Sequence, residues 1–297
     1  MAYKSGFVSI IGRPNVGKSS LMNYILQQKI AISSDKPQTT RQKILGLYTD
    51  EEMQIVFTDT PGIHKPKHKL GEYMMGEAKS ALEEVDMILY LIDGTSSFGG
   101  GEQFIIDQIR DRNCPVFLLI NKIDMMTADA LLPVIDLYKD KMDFAEIIPI
   151  SAVKGNNVEH LLEVVKSYLP EGPQYYPEDM VTDQPERAII AELIREKVLY
   201  LTRDEVPHSV AVEVTDVKER DNGSFYVGAN IYVERDSQKG IIIGKKGQML
   251  KDIGMKARPD IEELLGGKVF VELWVKVRSD WRDNEISLRN FGFEQRK

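Results

Sequence analysis

Gly12-Arg13-Pro14-Asn15-Val16-Gly17-Lys18-Ser19 decides the fold of this 297-residue chain. The octapeptide follows an apolar run at 7–11 and precedes a helical pattern at 21–26. In that strand–turn–helix setting, small residues let backbone N–H groups curl inward around phosphate oxygens. The helix N-terminus adds the positive end of its dipole. Lys18 is then placed to reach the β- and γ-phosphates. The Ser19 hydroxyl, with Ser20 beside it, is placed to ligate Mg2+.

Three further fragments stand at corresponding places along the chain. Asp59-Thr60-Pro61-Gly62 follows a strand pattern at 53–58. A carboxylate there holds Mg2+ through a water, and Gly62 brings a backbone N–H to the γ-phosphate with no side chain in the way. Asn121-Lys122-Ile123-Asp124 follows the apolar run 116–120. The Asp124 carboxylate accepts paired hydrogen bonds from the guanine N1–H and 2-amino group, a pair adenine lacks. Ser151-Ala152-Val153-Lys154 follows the run 147–150, and its backbone faces the guanine O6. Each fragment is weak alone. Four in this order, each after a strand pattern, describe one nucleotide site at the carboxyl edge of a sheet.

The apolar runs 7–11, 87–92, 116–120 and 147–150 suit strands buried on both faces of a parallel sheet. Between them, Met74, Ala78, Ala81, Leu82 and Val85 recur at helical spacing, as do Leu161, Leu162, Val165 and Leu169. Segments 43–49 and 53–58, joined by Asp50-Glu51-Glu52, read as a hairpin at one edge. The expected fold is a doubly wound α/β domain with a mostly parallel sheet over residues 1–170. Pro170, Pro173, Pro177 and Pro185 then interrupt the chain. Proline fixes φ and removes donors, so 171–185 is expected to be a linker, with Tyr175 and Tyr176 docking on one domain. Residues 186–297 form a smaller α+β pattern. A stripe of Ile190, Leu193, Ile194, Val198 and Leu201 precedes strands at 210–217 and 225–234, which flank the turn Asp221-Asn222-Gly223. A second stripe of Leu250, Ile253, Ala257, Ile261 and Leu264 leads to a strand at 269–277.

Composition excludes several classes. One cysteine, Cys114, forms no intrachain disulfide, so the chain is not a disulfide-stapled secreted scaffold. No apolar run approaches the roughly 18 residues of a membrane span. The N-terminal residues lack the long apolar stretch of a signal peptide, and a cytoplasmic location is expected. The net charge is −8. Residues 218–297 carry 16 basic and 13 acidic groups, a net of +3, against −11 for the remainder. Bulk attraction to nucleic acid is therefore not expected, but a local anionic partner near the C-terminus is.

Such a partner has a candidate site. Ile243-Gly244-Lys245-Lys246-Gly247 joins the apolar turn 241–243 to a helix. Two glycines allow close approach of a phosphodiester backbone. Lys245 and Lys246 supply charge, and the helix beginning near Gly247 supplies amide donors.

Taken together, residues 5–170 resemble the Ras-like GTPase superfamily. The resemblance implies binding of GTP and GDP with Mg2+ and slow hydrolysis of GTP. It extends the nucleotide contacts over Gly12 to Ser20, Asp59 to Gly62, Asn121, Lys122, Asp124, Ser151 and Ala152. Segment 30–43 resembles the first switch, and its Pro37-Gln38-Thr39-Thr40-Arg41 offers two threonines as Mg2+ ligand, of which Thr40 is favoured. Segment 62–70, with His64, Lys65, Lys67 and His68, resembles the second switch. The metal set is thus Ser19, Thr40 and Asp59, and the catalytic set is Lys18, Thr40, Asn15 and Gly62. One departure matters: the position that holds a water-orienting glutamine in many members is Ile63, which forms no hydrogen bond. Related GTPases with asparagine at the position of Asn15 use K+ at the developing charge, so K+ is a candidate cofactor.

The Gly244–Gly247 loop and its neighbours resemble a KH domain of the prokaryotic type, whose loop clamps about four nucleotides. The pairing of the two domains, and the segment Trp281-Arg-Asp-Asn-Glu-Ile-Ser-Leu-Arg-Asn-Phe-Gly-Phe293, resemble the Era family of bacterial GTPases over essentially the whole chain. That resemblance implies a monomer that binds 16S ribosomal RNA near its 3′ end and acts in assembly of the small ribosomal subunit, with peripheral association with the membrane. An RNA-binding module in which nucleotide only stabilises the first domain is the alternative. His160 and His208 lack partners at ligand spacing and are read as surface or packing residues. Cys114 and Trp274 are read as packing residues. Trp281 and Phe291 are read as packing the tail onto the sheet, with RNA stacking as the alternative.

Overall fold

The computed structural model describes residues 2–34, 36, 39–62, 68–83, 85–203 and 206–293. Pro37, Gln38, Ile63, His64, Lys65 and Lys67, singled out above, lie outside the described residues. The chain divides into two compact units. The first comprises residues 1–33, 40–65 and 74–183, and the second 34–39, 66–73 and 184–297.

The elements run β1 (Lys4–Ile11), α1 (Lys18–Leu26), β2 (Ile44–Thr49), β3 (Met53–Asp59), α2 (Lys69–Ser80), β4 (Met87–Asp93), α3 (Gly100–Ile109), β5 (Val116–Asn121), α4 (Ala128–Lys139), β6 (Glu146–Pro149) and α5 (Val158–Tyr168). Among the described residues they build a six-stranded sheet of order β2-β3-β1-β4-β5-β6. Every neighbouring pair is parallel except β2 with β3, the expected edge hairpin. The unbroken apolar runs follow from burial on both faces. Val8, Ile10, Ile55, Phe57, Leu89 and Leu119 pack against Leu21 and Met22 of α1 and Leu161 and Val165 of α5. Ile11, Ile88, Ile92, Leu118 and Ile120 pack on the other side against Ile105, Ile106 and Ile109 of α3. Each such side chain contributes roughly 1.5–3 kcal/mol on burial, so the sheet is the stable floor on which the loops at its carboxyl edge are held.

Gln54 is fully buried in β3. Its Oε1 accepts the N–H groups of Tyr175 (2.7 Å) and Tyr176 (3.0 Å), and its Nε2 donates to the Tyr176 carbonyl (2.9 Å). The Tyr175 ring lies 5.2 Å from that of Phe7. The proline-rich segment therefore follows the first unit as far as Thr182, whose hydroxyl donates to the Leu45 carbonyl.

In the second unit α6 (Glu186–Leu201) is followed by β7 (Ala211–Glu219), β8 (Phe225–Val233), α7 (Asp236–Ile243), α8 (Gln248–Leu265), β9 (Val269–Val277) and α9 (Glu285–Asn290). The sheet order is β7-β8-β9, with β7–β8 antiparallel and β8–β9 parallel. Ile190, Leu193 and Val198 of α6 and Ile253, Ala257 and Ile261 of α8 close over Val227, Ala229 and Ile231 of β8.

Two expectations are corrected here. The apolar residues 241–243 are the last turn of α7, not a turn joining to a helix; fully buried Ile242 supplies the packing that overrides the poor helix propensity of β-branched residues. Trp274 is 42% exposed rather than buried in the core. Strand parity explains it. Trp274 shares a face with exposed Phe270, while Val269, Val275 and their parity mates face the helices.

Candidate functional site

Because β1, β3, β4, β5 and β6 are parallel neighbours, their carboxyl ends lie along one edge. The phosphate loop leaves β1 there, Asp59 ends β3, Asn121 ends β5, and Ser151 follows β6. The structure thus brings together all four fragments of the nucleotide site.

The loop's shape is set before any ligand binds. Asn15 adopts a left-handed conformation (φ 67°) at an exposed position of the loop. Lys18 is 6% exposed, and its Nζ donates to the carbonyls of Gly12 (3.2 Å) and Arg13 (3.0 Å). Burial pulls the Lys18 ammonium down to about 8, with Asp59 opposing. Gly62 abuts Pro14: a Cβ there would lie 2.7 Å from the proline ring, so only glycine fits against the loop.

Ser19 Oγ donates to Asp59 Oδ2 at 2.6 Å and lies 3.0 Å from Thr40 Oγ1. The Thr40 hydroxyl also reaches Asp59 Oδ2, at 3.4 Å. The Thr39 hydroxyl instead donates to the Lys36 carbonyl, at 2.6 Å. Asp59 is fully buried, and its Oδ1 has no hydrogen-bond partner among the described residues. Burial raises the Asp59 carboxyl, against the pull of Lys18 and the two hydroxyls. Two hydroxyls and a buried carboxylate with a spare oxygen form a donor set suited to a hard divalent cation. Among the described residues, no cluster of three His, Cys, Asp or Glu competes with it.

The base side is wired to the phosphate side. Asn121 Nδ2 donates to the Val16 carbonyl (2.7 Å), and its Oδ1 accepts the Ala152 N–H (2.9 Å). Ser151 Oγ donates to Asp124 Oδ1 (2.6 Å) and accepts the Lys154 N–H (3.1 Å). Asp124 is exposed, so its carboxylate is oriented yet open to a base. Thr60 is anchored by its hydroxyl to the Ile10 carbonyl at 3.0 Å.

Sequence reasoning missed two acidic residues here. Asp93 ends β4 and pairs with Lys122 at 2.5 Å. Burial would push its carboxyl up, but the Lys122 and Thr95 hydrogen bonds outweigh that and hold it low. Glu102 of α3 is 4% exposed and accepts from the Arg13 guanidinium at 2.9 Å, tying the phosphate loop to that helix. Asp93 was legible in principle, as an acidic residue at the end of an apolar strand on the same edge. Glu102 carried no such signal.

In the second unit, Gly244 (φ 72°), Lys246 (φ 52°) and Gly247 (φ 78°) form a sharp turn between α7 and α8. At Gly244 a Cβ would lie 2.6 Å from that of Met249, so the turn requires glycine. Lys245 and Lys246 are exposed, and Ile243 is half-buried. His160 sits on the surface, with Nδ1 3.7 Å from Glu163.

Comparison with known proteins matches residues 7–122 to a family described as 50S ribosome-binding GTPase, and residues 205–282 to the KH domain family. Two solved structures match nearly the whole chain. One is Era in complex with MgGDPNP and nucleotides 1506–1542 of 16S ribosomal RNA. The other is a point variant of Aquifex aeolicus Era bound to GDP·AlF4−. Each is 46% identical, with a TM-score of 0.94, over 98% of this chain and 99% of the other.

Proposed function

The chain belongs to the Era family of GTPases, and from that premise we propose a GTP-driven switch that binds 16S ribosomal RNA near its 3′ end and acts in assembly of the small ribosomal subunit. The observation that carries the reading is the whole-chain likeness to a protein solved with that RNA segment. It joins the nucleotide edge of the first unit to the Gly244–Gly247 turn of the second in a single chain. We assign residues 1–170 to the GTPase domain, 171–185 to the linker and 186–297 to the KH domain with its tail.

The chain hydrolyses GTP to GDP with Mg2+, as its family does. In the proposed mechanism Lys18 exchanges its two carbonyl partners for phosphate oxygens. Asp124 then accepts the guanine N1–H and 2-amino group while Asn121 and Ser151 hold the loops that carry it. Ser19, Thr40 and Asp59 would hold Mg2+, which would supply positive charge against the phosphates. Gly62, packed against Pro14, would give its N–H to the γ-phosphate. Asn15, exposed in the loop, offers an amide oxygen to K+. Faster turnover in K+ than in Na+ at equal ionic strength, lost in Asn15→Ala, is expected, and equal turnover defeats that assignment.

On the RNA side, Lys245 and Lys246 meet phosphates, and the turn from Ile243 to Gly247 clamps the strand. A cytoplasmic monomer with peripheral membrane association completes the reading. Among the described residues no helix is long and apolar enough to cross a membrane.

The test is the affinity for an oligonucleotide of the 16S 3′ end with a non-hydrolysable GTP analogue and with GDP. A difference of about tenfold is expected of a switch, within the usual range of coupling between sites. Equal affinities would leave an RNA-binding module with a nucleotide-stabilised domain. Preference for large-subunit RNA would overturn the partner.

A further inference from the structure

Lys122 is the strained residue of the base-side turn. Its backbone is left-handed (φ 69°, ψ 31°), a conformation unfavourable for a residue with a Cβ. It stands between Asn121, whose amide bonds Val16 and Ala152, and Asp124, which Ser151 orients. Backbone bonds hold the turn, with Met125 N–H on the Lys122 carbonyl (2.9 Å), Met126 N–H on the Ile123 carbonyl (3.1 Å) and Ile123 N–H on the Ile150 carbonyl (3.3 Å). The Lys122 side chain adds a hold of its own, reaching across to the neighbouring strand end at Asp93 Oδ2, 2.5 Å away.

Asp93 is itself fixed. Its Oδ1 accepts the Thr95 N–H (2.9 Å) and hydroxyl (2.6 Å). Its backbone is in register with Asn121, and the Gly94 N–H donates to the Asn121 carbonyl at 2.9 Å. One carboxylate oxygen is therefore anchored in its own turn while the other holds the ammonium. The side chains of Asp93 and Lys122 are 15% and 31% exposed, so water screens this pair less than an ordinary surface ion pair.

We infer that Asp93 is a positioning residue of the guanine site, acting through Lys122 to hold the Asn121–Asp124 turn, and that this contact governs nucleotide retention rather than hydrolysis. The inference rests on the placement of guanine against Asp124 made above. Among the described residues the Asp93 carboxylate is hydrogen-bonded by Thr95 and Lys122 and by no phosphate-side group, so loss of the pair is expected to act on binding alone.

Asp93→Asn keeps an oxygen for Thr95 and removes the charge; Lys122→Met keeps the stem and removes the ammonium. In the full chain, release of a fluorescent GDP analogue from Asp93→Asn is expected to be about tenfold faster, and KM for GTP correspondingly higher. The kcat at saturating GTP is expected to stay within about twofold. Adding Asp93→Asn to Lys122→Met is expected to bring no further loss. Unchanged release, an equal fall in kcat, or fully additive losses would each overturn the inference. Asp124→Asn, tested separately for a switch from guanosine to xanthosine nucleotides, isolates the underlying reading. A failed switch removes the base-site assignment, whereas a successful switch with unchanged release in Asp93→Asn removes only the role of Asp93.

Discussion

Lys18 is a buried cation whose desolvation opposes the pull of buried Asp59. Burial lowers its ammonium to about 8, so the folded chain holds fewer protons than the unfolded chain between pH 8 and the ordinary lysine value of 10.5. Stability of the free protein therefore rises with pH across that window. Nucleotide binding works the other way, because phosphate oxygens at Lys18 restore the charged form. Affinity for GDP is expected to fall above pH 8, by up to about tenfold per pH unit. Titration of the dissociation constant between pH 7 and 9.5 checks this, and a flat profile would detach Lys18 from the phosphates. The residue types needed for this chemistry were legible because each motif is a local string. Glu102 was not, since its partner Arg13 is 89 residues away and no string joins them; the strand-end position of Asp93 was open to reading, but its pairing with Lys122, 29 residues on, was not.

At the scale of elements, legibility followed periodicity. Strands buried on both faces announced themselves as apolar runs, and α5 and α8 as stripes. α4 did not: Leu131, Val134, Ile135 and Tyr138 do pack on the core at helical spacing, but Pro133 stands inside the stripe and reads as a break, and most of the other residues are exposed. α7 was misread because three consecutive isoleucines look like a strand or turn until Ile242 is seen packed. The α7–α8 turn is the element to which RNA binding is assigned in the proposed function. The lysine side chains are not required to hold the turn: Gly244 and Gly247 supply two of its positive-φ positions, and aspartate tolerates the left-handed conformation that Lys246 adopts at the third. Lys245→Asp with Lys246→Asp is accordingly expected to leave the fold and basal GTP hydrolysis nearly intact. RNA affinity is expected to drop by about a hundredfold or more, because two attractions become repulsions at a phosphate clamp. Filter binding at moderate salt, beside a GTPase assay, reads both. Normal RNA affinity would remove the clamp from this turn.

At the scale of the whole molecule, the seam was legible in its four prolines, and the two units have separate cores. The chain's two tryptophans, Trp274 and Trp281, both belong to the second unit. Trp281 is fully buried, donates from Nε1 to the Ser209 carbonyl at 2.8 Å, and meets the Phe291 ring edge-on at 5.3 Å, so the tail packs on the core as expected. Its environment is lost only when that core opens. Calorimetry sees both cores, whereas tryptophan fluorescence sees one. GDP with Mg2+ at a hundred times its dissociation constant stabilises the state that binds it by about 2.7 kcal/mol. For a domain of this size that raises the midpoint of the nucleotide-bearing unit by roughly 5–10 °C. The calorimetric transition of the first unit is therefore expected to move by that amount, while the tryptophan midpoint moves by less than about a third of it. If both midpoints rise together, the two cores unfold as one cooperative body, and nucleotide in the first unit stabilises the RNA-binding unit directly.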